Sequence, residues 1–220
     1  MSTGVALPRL HVVSDDRVLA TDGWLRMASA VLEAGRAALA LHLRGPRTTG
    51  ARLFELAEAL LPEAGRRGSL LLVNDRVDVA MIAGAHGAHL GRWSLPLPEV
   101  RRLLGPGARI GVSLHEPDAV RAARTEGADY AFLGTIFRTP SHPRASGLGP
   151  DALALAAEAA GGLPVLAIGG VGPRDVGTTR ASGAYGVAVV SGVWHADDPP
   201  AAVASYIEEL AEAEVKLGKT

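Results

Sequence analysis

The chain has 220 residues, of which 48% are hydrophobic and 20% charged; 22 basic and 23 acidic side chains leave a net charge of -1. That size and balance suit one domain spanning residues 1–220 and exclude a disordered chain. Near-neutrality excludes a global field for nucleic acid or acidic membranes, and the lack of cysteine excludes disulfides, thiolate catalysis and cysteine-ligated metals. The first apolar run, Leu10 to Asp15, reads as a strand. Trp24 to Ala34 follows as a helix, with Leu25, Ala28, Val31 and Leu32 at three- and four-residue spacing. The alternation then repeats: strand Ala38 to Arg44 and helix Ala51 to Leu61; strand Leu70 to Asp75 and helix Arg76 to Ala83; strand Ala88 to Gly91 and helix Pro98 to Leu104. It continues with strand Arg109 to His115 and helix Pro117 to Glu126, then strand Tyr130 to Phe137 and helix Pro150 to Ala160. Strand Val165 to Gly170, helix Pro173 to Ala181, strand Gly186 to Val193 and helix Pro199 to Leu217 complete it.

The strands are continuously apolar, as parallel strands covered on both faces are. Several helices open on proline, whose missing amide has no helical partner to lose. Eight strands in strict alternation with eight helices predict an α/β chain folded as a single (β/α)8 TIM barrel. Met1 to Leu10 has no basic start followed by a long apolar run, and no stretch approaches the roughly 20 apolar residues of a membrane span. A cytoplasmic protein without nucleic-acid or membrane partners is the expectation. The outer helices offer surfaces for a homodimer, but no residue marks one.

In such a barrel the active site lies at the carboxyl ends of the strands. Here those ends carry Ser14 and Asp15, His42 and Arg44, Asn74 and Asp75, Ser113 and His115, Thr135 and Thr139, Gly169 and Gly170, and Ser191 and Gly192. Strand alternation sets His42 with Arg44 on one face, and Ser113 with His115 on one face. Ala167-Ile168-Gly169-Gly170 and Val189-Val190-Ser191-Gly192 end the last two strands, where barrels bind phosphate through backbone amides. The bland alternative is that these glycines only permit tight turns.

Val73-Asn74-Asp75-Arg76-Val77-Asp78, Gly87-Ala88-His89-Leu90-Gly91 and Gly111-Val112-Ser113-Leu114-His115, followed by Gly127-Ala128-Asp129-Tyr130 and the two glycine motifs, resemble the thiamine phosphate synthase and TenI-type thiazole tautomerase family in order. The resemblance runs from Leu10 to about Ile207 and implies the same barrel. It implies one of two activities. The synthase, a transferase, joins a pyrimidine diphosphate to a thiazole phosphate and releases diphosphate with magnesium. The tautomerase, an isomerase, aromatises a carboxythiazole phosphate without a metal.

Three departures point toward the tautomerase. His42-Leu43-Arg44-Gly45-Pro46 keeps the arginine of the synthase's Gln-Leu-Arg-Glu-Lys but replaces its diphosphate-binding lysine with Pro46. Gly91-Arg92-Trp93-Ser94 sets Ser94 where the synthase has a magnesium-binding aspartate. Thr139-Pro140-Ser141-His142 sets His142 where it has a lysine, with Arg138 or Arg144 as replacements. The start, Leu10-His11-Val12-Val13-Ser14-Asp15, also resembles the tautomerase.

The expectation from these residues is a metal-independent thiazole tautomerase without a cofactor, whose small-molecule partner is a thiazole phosphate. His115 would exchange the protons, with His42 as a second base or carboxylate ligand. Arg44, Asn74, Asp75, Ser113 and Thr139 would bind substrate, Arg44 holding the carboxylate bidentately. Gly169, Gly170, Ser191 and Gly192 would bind phosphate. Asp75 also has a simpler reading as a helix cap. Trp93 reads either as a wall of the site or as packing beneath a loop, and 138–147 as a lid. Asn74 and Asp75 keep alive the alternative of a magnesium-dependent synthase. A third reading is a non-catalytic, phosphate-ligand-binding regulatory relative.

Overall fold

The computed structural model describes residues 6–139 and 147–218. The eight strands are β1 (Leu10–Val13), β2 (Leu39–Leu43), β3 (Leu70–Asn74), β4 (Gly87–Leu90), β5 (Arg109–Leu114), β6 (Tyr130–Gly134), β7 (Val165–Ile168) and β8 (Gly186–Val189). Each pairs in parallel with the next, and β8 returns to β1, so the sheet closes on itself. Register runs Leu10↔Leu39 between β1 and β2, and Leu10↔Val187 at the closing seam. The predicted (β/α)8 barrel is therefore the observed fold.

The helices are α1 (Asp16–Leu19), α2 (Trp24–Gly35), α3 (Gly50–Arg67), α4 (Val77–Ala83), α5 (Leu97–Leu104), α6 (Ala119–Thr125), α7 (Gly149–Ala160), α8 (Val176–Ala181), α9 (Ser191–Trp194) and α10 (Pro199–Leu217). Two departures from the sequence pattern follow from packing. α3 continues past Pro62 for a further turn and more, because Leu60 and Ala64 stay buried on the same face and Gly68 ends it in the left-handed conformation. The predicted last strand stops at Val189, since Val190 turns out of the sheet and Ser191–Trp194 forms a short helix. Val193 and the Trp194 ring bury themselves there, and the indole N–H donates to Val13 O at 2.9 Å.

Continuous apolarity in the strands serves two cores. Outward residues such as Leu10, Leu41, Leu71 and Val187 pack beneath the helices. Inward residues Ala40, Leu70, Leu72, Tyr130, Phe132, Leu166 and Ala188 fill the barrel. The interior also takes His11, His42 and His89, all buried. Among the described residues, no helix is long and apolar enough to cross a membrane.

Candidate active site

A polar column climbs through the barrel toward the carboxyl-end rim. His11 Nε2 lies 3.1 Å from Pro8 O, and His11 Nδ1 lies 2.8 Å from His42 Nε2. His42 Nδ1 in turn lies 2.9 Å from the Asn74 side-chain amide at the end of β3. A second set shares the space: His89 Nε2 is 2.8 Å from Ser113 Oγ, and His89 Nδ1 is 3.1 Å from the Tyr130 hydroxyl. The His89 and Phe132 rings stack with centroids 4.2 Å apart. Burial strips water from all three imidazoles and holds them neutral. It lowers His42 to about 4, partly offset by the Asn74 contact. His11 is pushed well down by burial and then by neighbouring His42. For His89, burial leads, with His42, His11 and Arg44 adding to the effect.

The rim above is built by loops that fasten one another. Ser14 bridges β1 and β2: its hydroxyl donates to Arg44 O at 3.1 Å and accepts from Arg44 N at 2.9 Å. Asp16 then holds the following turn, accepting from Arg47 N at 3.0 Å and Thr48 Oγ1 at 2.9 Å. Burial opposes the charge on Asp16, but these bonds outweigh it and keep the carboxyl below its usual range. The Arg44 guanidinium is half-buried and has no hydrogen-bond or ion-pair partner among the described residues. It is a cation held at the rim and available to an anion.

Asp75 follows β3 with φ at 62°, and its side chain does not cap α4. Instead Oδ1 accepts from Gly91 N at 2.8 Å and Ser94 Oγ at 2.6 Å, tying the rim of β3 to that of β4. Ser94, which stands where a second carboxylate was expected for a synthase, thus orients Asp75. Among the described residues, Oδ2 receives no hydrogen bond, and no group of three or more His, Asp or Glu side chains converges to hold a metal alone. Magnesium commonly binds one or two carboxylates and completes its shell with waters and substrate phosphates. Asp75 fits that arrangement as the protein's donor to a metal–diphosphate complex. Trp93 is 90% exposed, with the Arg92 guanidinium 5.2 Å from its ring, so it does not pack beneath a loop.

On the opposite rim, Gly169 and Gly170 have φ of 92° and 69°. A Cβ on Gly169 would fall 2.7 Å from the Thr135 methyl, and one on Gly170 would fall 2.6 Å from Arg138 O. Both glycines therefore let the strand-six loop lie against the strand-seven loop, where Phe137 N donates to Gly169 O at 2.9 Å. The turn reading of these glycines is part of the answer. The amides of Ser191 and Gly192 begin α9 and have no helical acceptor. Thr139, after β6, is buried. Of the predicted lid, residues 140–146 lie outside the described residues, as do His142 and Arg144.

His115 is exposed at the end of β5, and its Nδ1–H donates to Gly134 O at 2.9 Å, leaving Nε2 outward. His42 is no open base, because both its nitrogens are engaged inside the barrel. Sequence reasoning missed that His11 and His89 belong to one cluster with His42. The available signal was strand parity, which turns all three inward.

A closed (β/α)8 barrel with a rim cation, a rim carboxylate and glycine-rich terminal loops defines a barrel suited to phosphorylated ligands. The chain matches the thiamine monophosphate synthase family, TMP-TENI, over residues 10–193, and belongs to it. It is 40% identical over 201 residues to the thiamine-phosphate synthase of Chlorobium luteolum, covering 91% of this chain and 92% of that one. It is 43% identical over 185 residues to the thiamine biosynthesis bifunctional protein ThiM/ThiE of Symbiobacterium thermophilum, covering 84% of this chain but 38% of that longer protein. In structure it resembles a thiamine phosphate pyrophosphorylase from Pyrococcus furiosus, with TM-score 0.81, 27% identity, and 93% and 96% of the two chains covered.

These relatives overturn the expected tautomerase and isomerase activity: they are synthases, which are transferases. The three substitutions that favoured the tautomerase occur in a chain whose similarity to a synthase extends over nearly its full length. Ser94 shows why their weight was misjudged. Ser94 in place of a second carboxylate leaves Asp75 at the rim and donates to its Oδ1.

Proposed function

We propose that this protein is a thiamine-phosphate synthase, a transferase that joins a pyrimidine diphosphate to a thiazole phosphate and releases diphosphate. The observation that carries this reading is the 40% identity to the C. luteolum synthase across 91% of the chain. In the reaction the bond between pyrimidine substituent and diphosphate breaks and a bond to the thiazole forms. Arg44, without a side-chain partner among the described residues, binds the diphosphate end by charge-assisted hydrogen bonds. Asp75, steadied by Gly91 and Ser94, keeps Oδ2 for a magnesium ion. Bound magnesium supplies positive charge that stabilises the departing diphosphate. The helix-opening amides of Ser191 and Gly192, with the loop of Gly169 and Gly170, hold the thiazole phosphate.

The test is to incubate purified protein with both substrates, with magnesium or with a chelator, and to measure thiamine phosphate and diphosphate. Equal amounts of both, formed only with magnesium, are expected. Ligand-induced thermal stabilisation without product would instead identify a non-catalytic binder.

A further inference from the structure

The contacts linking Pro8, His11, His42 and Asn74 impose a proton count. Three contacts, from Pro8 O to His11, from His11 to His42 and from His42 to Asn74, join four ring nitrogens to two end groups. Pro8 O only accepts, so His11 Nε2 must carry a hydrogen. A neutral imidazole carries one, which leaves His11 Nδ1 an acceptor. His42 Nε2 must then donate to it, leaving His42 Nδ1 an acceptor as well. An acceptor cannot face the Asn74 carbonyl oxygen. With that oxygen toward His42, three protons would have to sit on two histidines, giving a buried imidazolium with Arg44 nearby and no carboxylate bonded to either ring. The two amide positions of Asn74 have the same shape, and turning the amide resolves the conflict without a charge.

We propose that this histidine pair locks Asn74 with its amide nitrogen donating to His42 Nδ1 and its Oδ1 toward the barrel mouth. The site then offers an acceptor at this point of the rim. It takes an N–H or O–H donor of the substrate there and turns away anionic phosphate oxygens. Asn74 is almost fully buried, ends β3 at the mouth, and its second amide position has no partner among the described residues. That outward position is therefore the one left for a ligand. His11 and His42 are positioning residues, acting through Asn74 from the barrel floor to its rim. The assignment to the pyrimidine end of the substrate rests on the synthase reading; the orientation of Asn74 does not.

Two-bond 1H–15N correlation on the ligand-free, full-length protein labelled with 15N-histidine tests the lock. Both His11 and His42 are expected as neutral Nε2–H tautomers. A Nδ1–H tautomer or an imidazolium at His42 would overturn the proposal, whatever reaction the protein catalyses. The Asn74 side-chain carbonyl 13C signal tests the ligand class, with 4-aminopyrimidine and inorganic diphosphate as separate probes. A shift with the aminopyrimidine and none with diphosphate is expected. A shift with diphosphate, or with neither, overturns the donor assignment while leaving the tautomer result standing.

Discussion

Arg44 and Asp75 divide the rim chemistry between them, and each makes a distinct prediction. Arg44→Ala removes a cation that satisfies no group among the described residues, so stability should change little. KM for the diphosphate substrate should rise about ten- to a hundredfold, the worth of a charge-assisted hydrogen bond; an unchanged KM would remove Arg44 from the site. Asp75→Asn keeps an oxygen for Gly91 and Ser94 but loses the carboxylate charge. The magnesium concentration for half-maximal activity should then rise about tenfold or more, read from a metal titration. The buried histidines predict a pH dependence of stability. Their folded-state pKa values lie below the usual 6.5, with His42 at about 4. The unfolded chain therefore binds more protons in that interval. Stability is full above 6.5 and is lost as pH falls toward 4, by about 2 kcal/mol between pH 7 and pH 5 for His42 alone. Denaturant midpoints at those two pH values give the measurement, and a flat profile would mean that the histidines titrate alike in the folded and unfolded chain. At this scale the sequence was readable where a residue sits on a rim: Asn74, Asp75 and Arg44 were all identified. For His11, His42 and His89 strand parity gives only the inward direction; which of the rings touch is set by three separate strands meeting in the closed barrel.

Each βα element buries a strand on both faces, and interior space sets what those strands carry. Gly111 in β5 shows the limit: a Cβ there would fall 2.0 Å from the Tyr130 ring. That ring fills the barrel and bonds to His89. Gly111→Ala should destabilise the protein by about 1–3 kcal/mol or more through overpacking. Denaturant unfolding should show it, and a second change of Tyr130→Phe should recover little, since the ring itself makes the clash. Element order and approximate bounds were legible because strand runs and helical spacing differ in period. The ends were less so. α3 outlasts Pro62 because the buried face continues, and Ser191–Trp194 leaves the sheet because the Trp194 indole reaches Val13 O. Both outcomes depend on neighbours distant in sequence.

At the scale of the whole barrel, closure requires the last quarter of the chain to meet the first. β8 pairs with β1, and α10 buries Val203, Tyr206, Leu210 and Ala213 across α2 and α8. The Tyr206 hydroxyl donates to Val171 O at 2.8 Å, and Glu214 receives both Arg9 and Arg180. A chain truncated before Pro199 should therefore lose cooperative unfolding rather than merely a peripheral helix; a sharp thermal transition in that variant would show that the barrel closes without α10. Function is also decided at this scale. Three local substitutions suggested an isomerase, whereas similarity along nearly the whole chain identifies synthases as its relatives. The sequence by itself determined the eight-fold alternation, the rim residues and the family, because these are written in local periodicity and ordered motifs. Only the tertiary structure decided which histidines share the interior, that Ser94 orients Asp75, and that Gly169 and Gly170 admit a neighbouring loop. Each of these is a contact between separate strands or loops, and such contacts exist only once the barrel has closed.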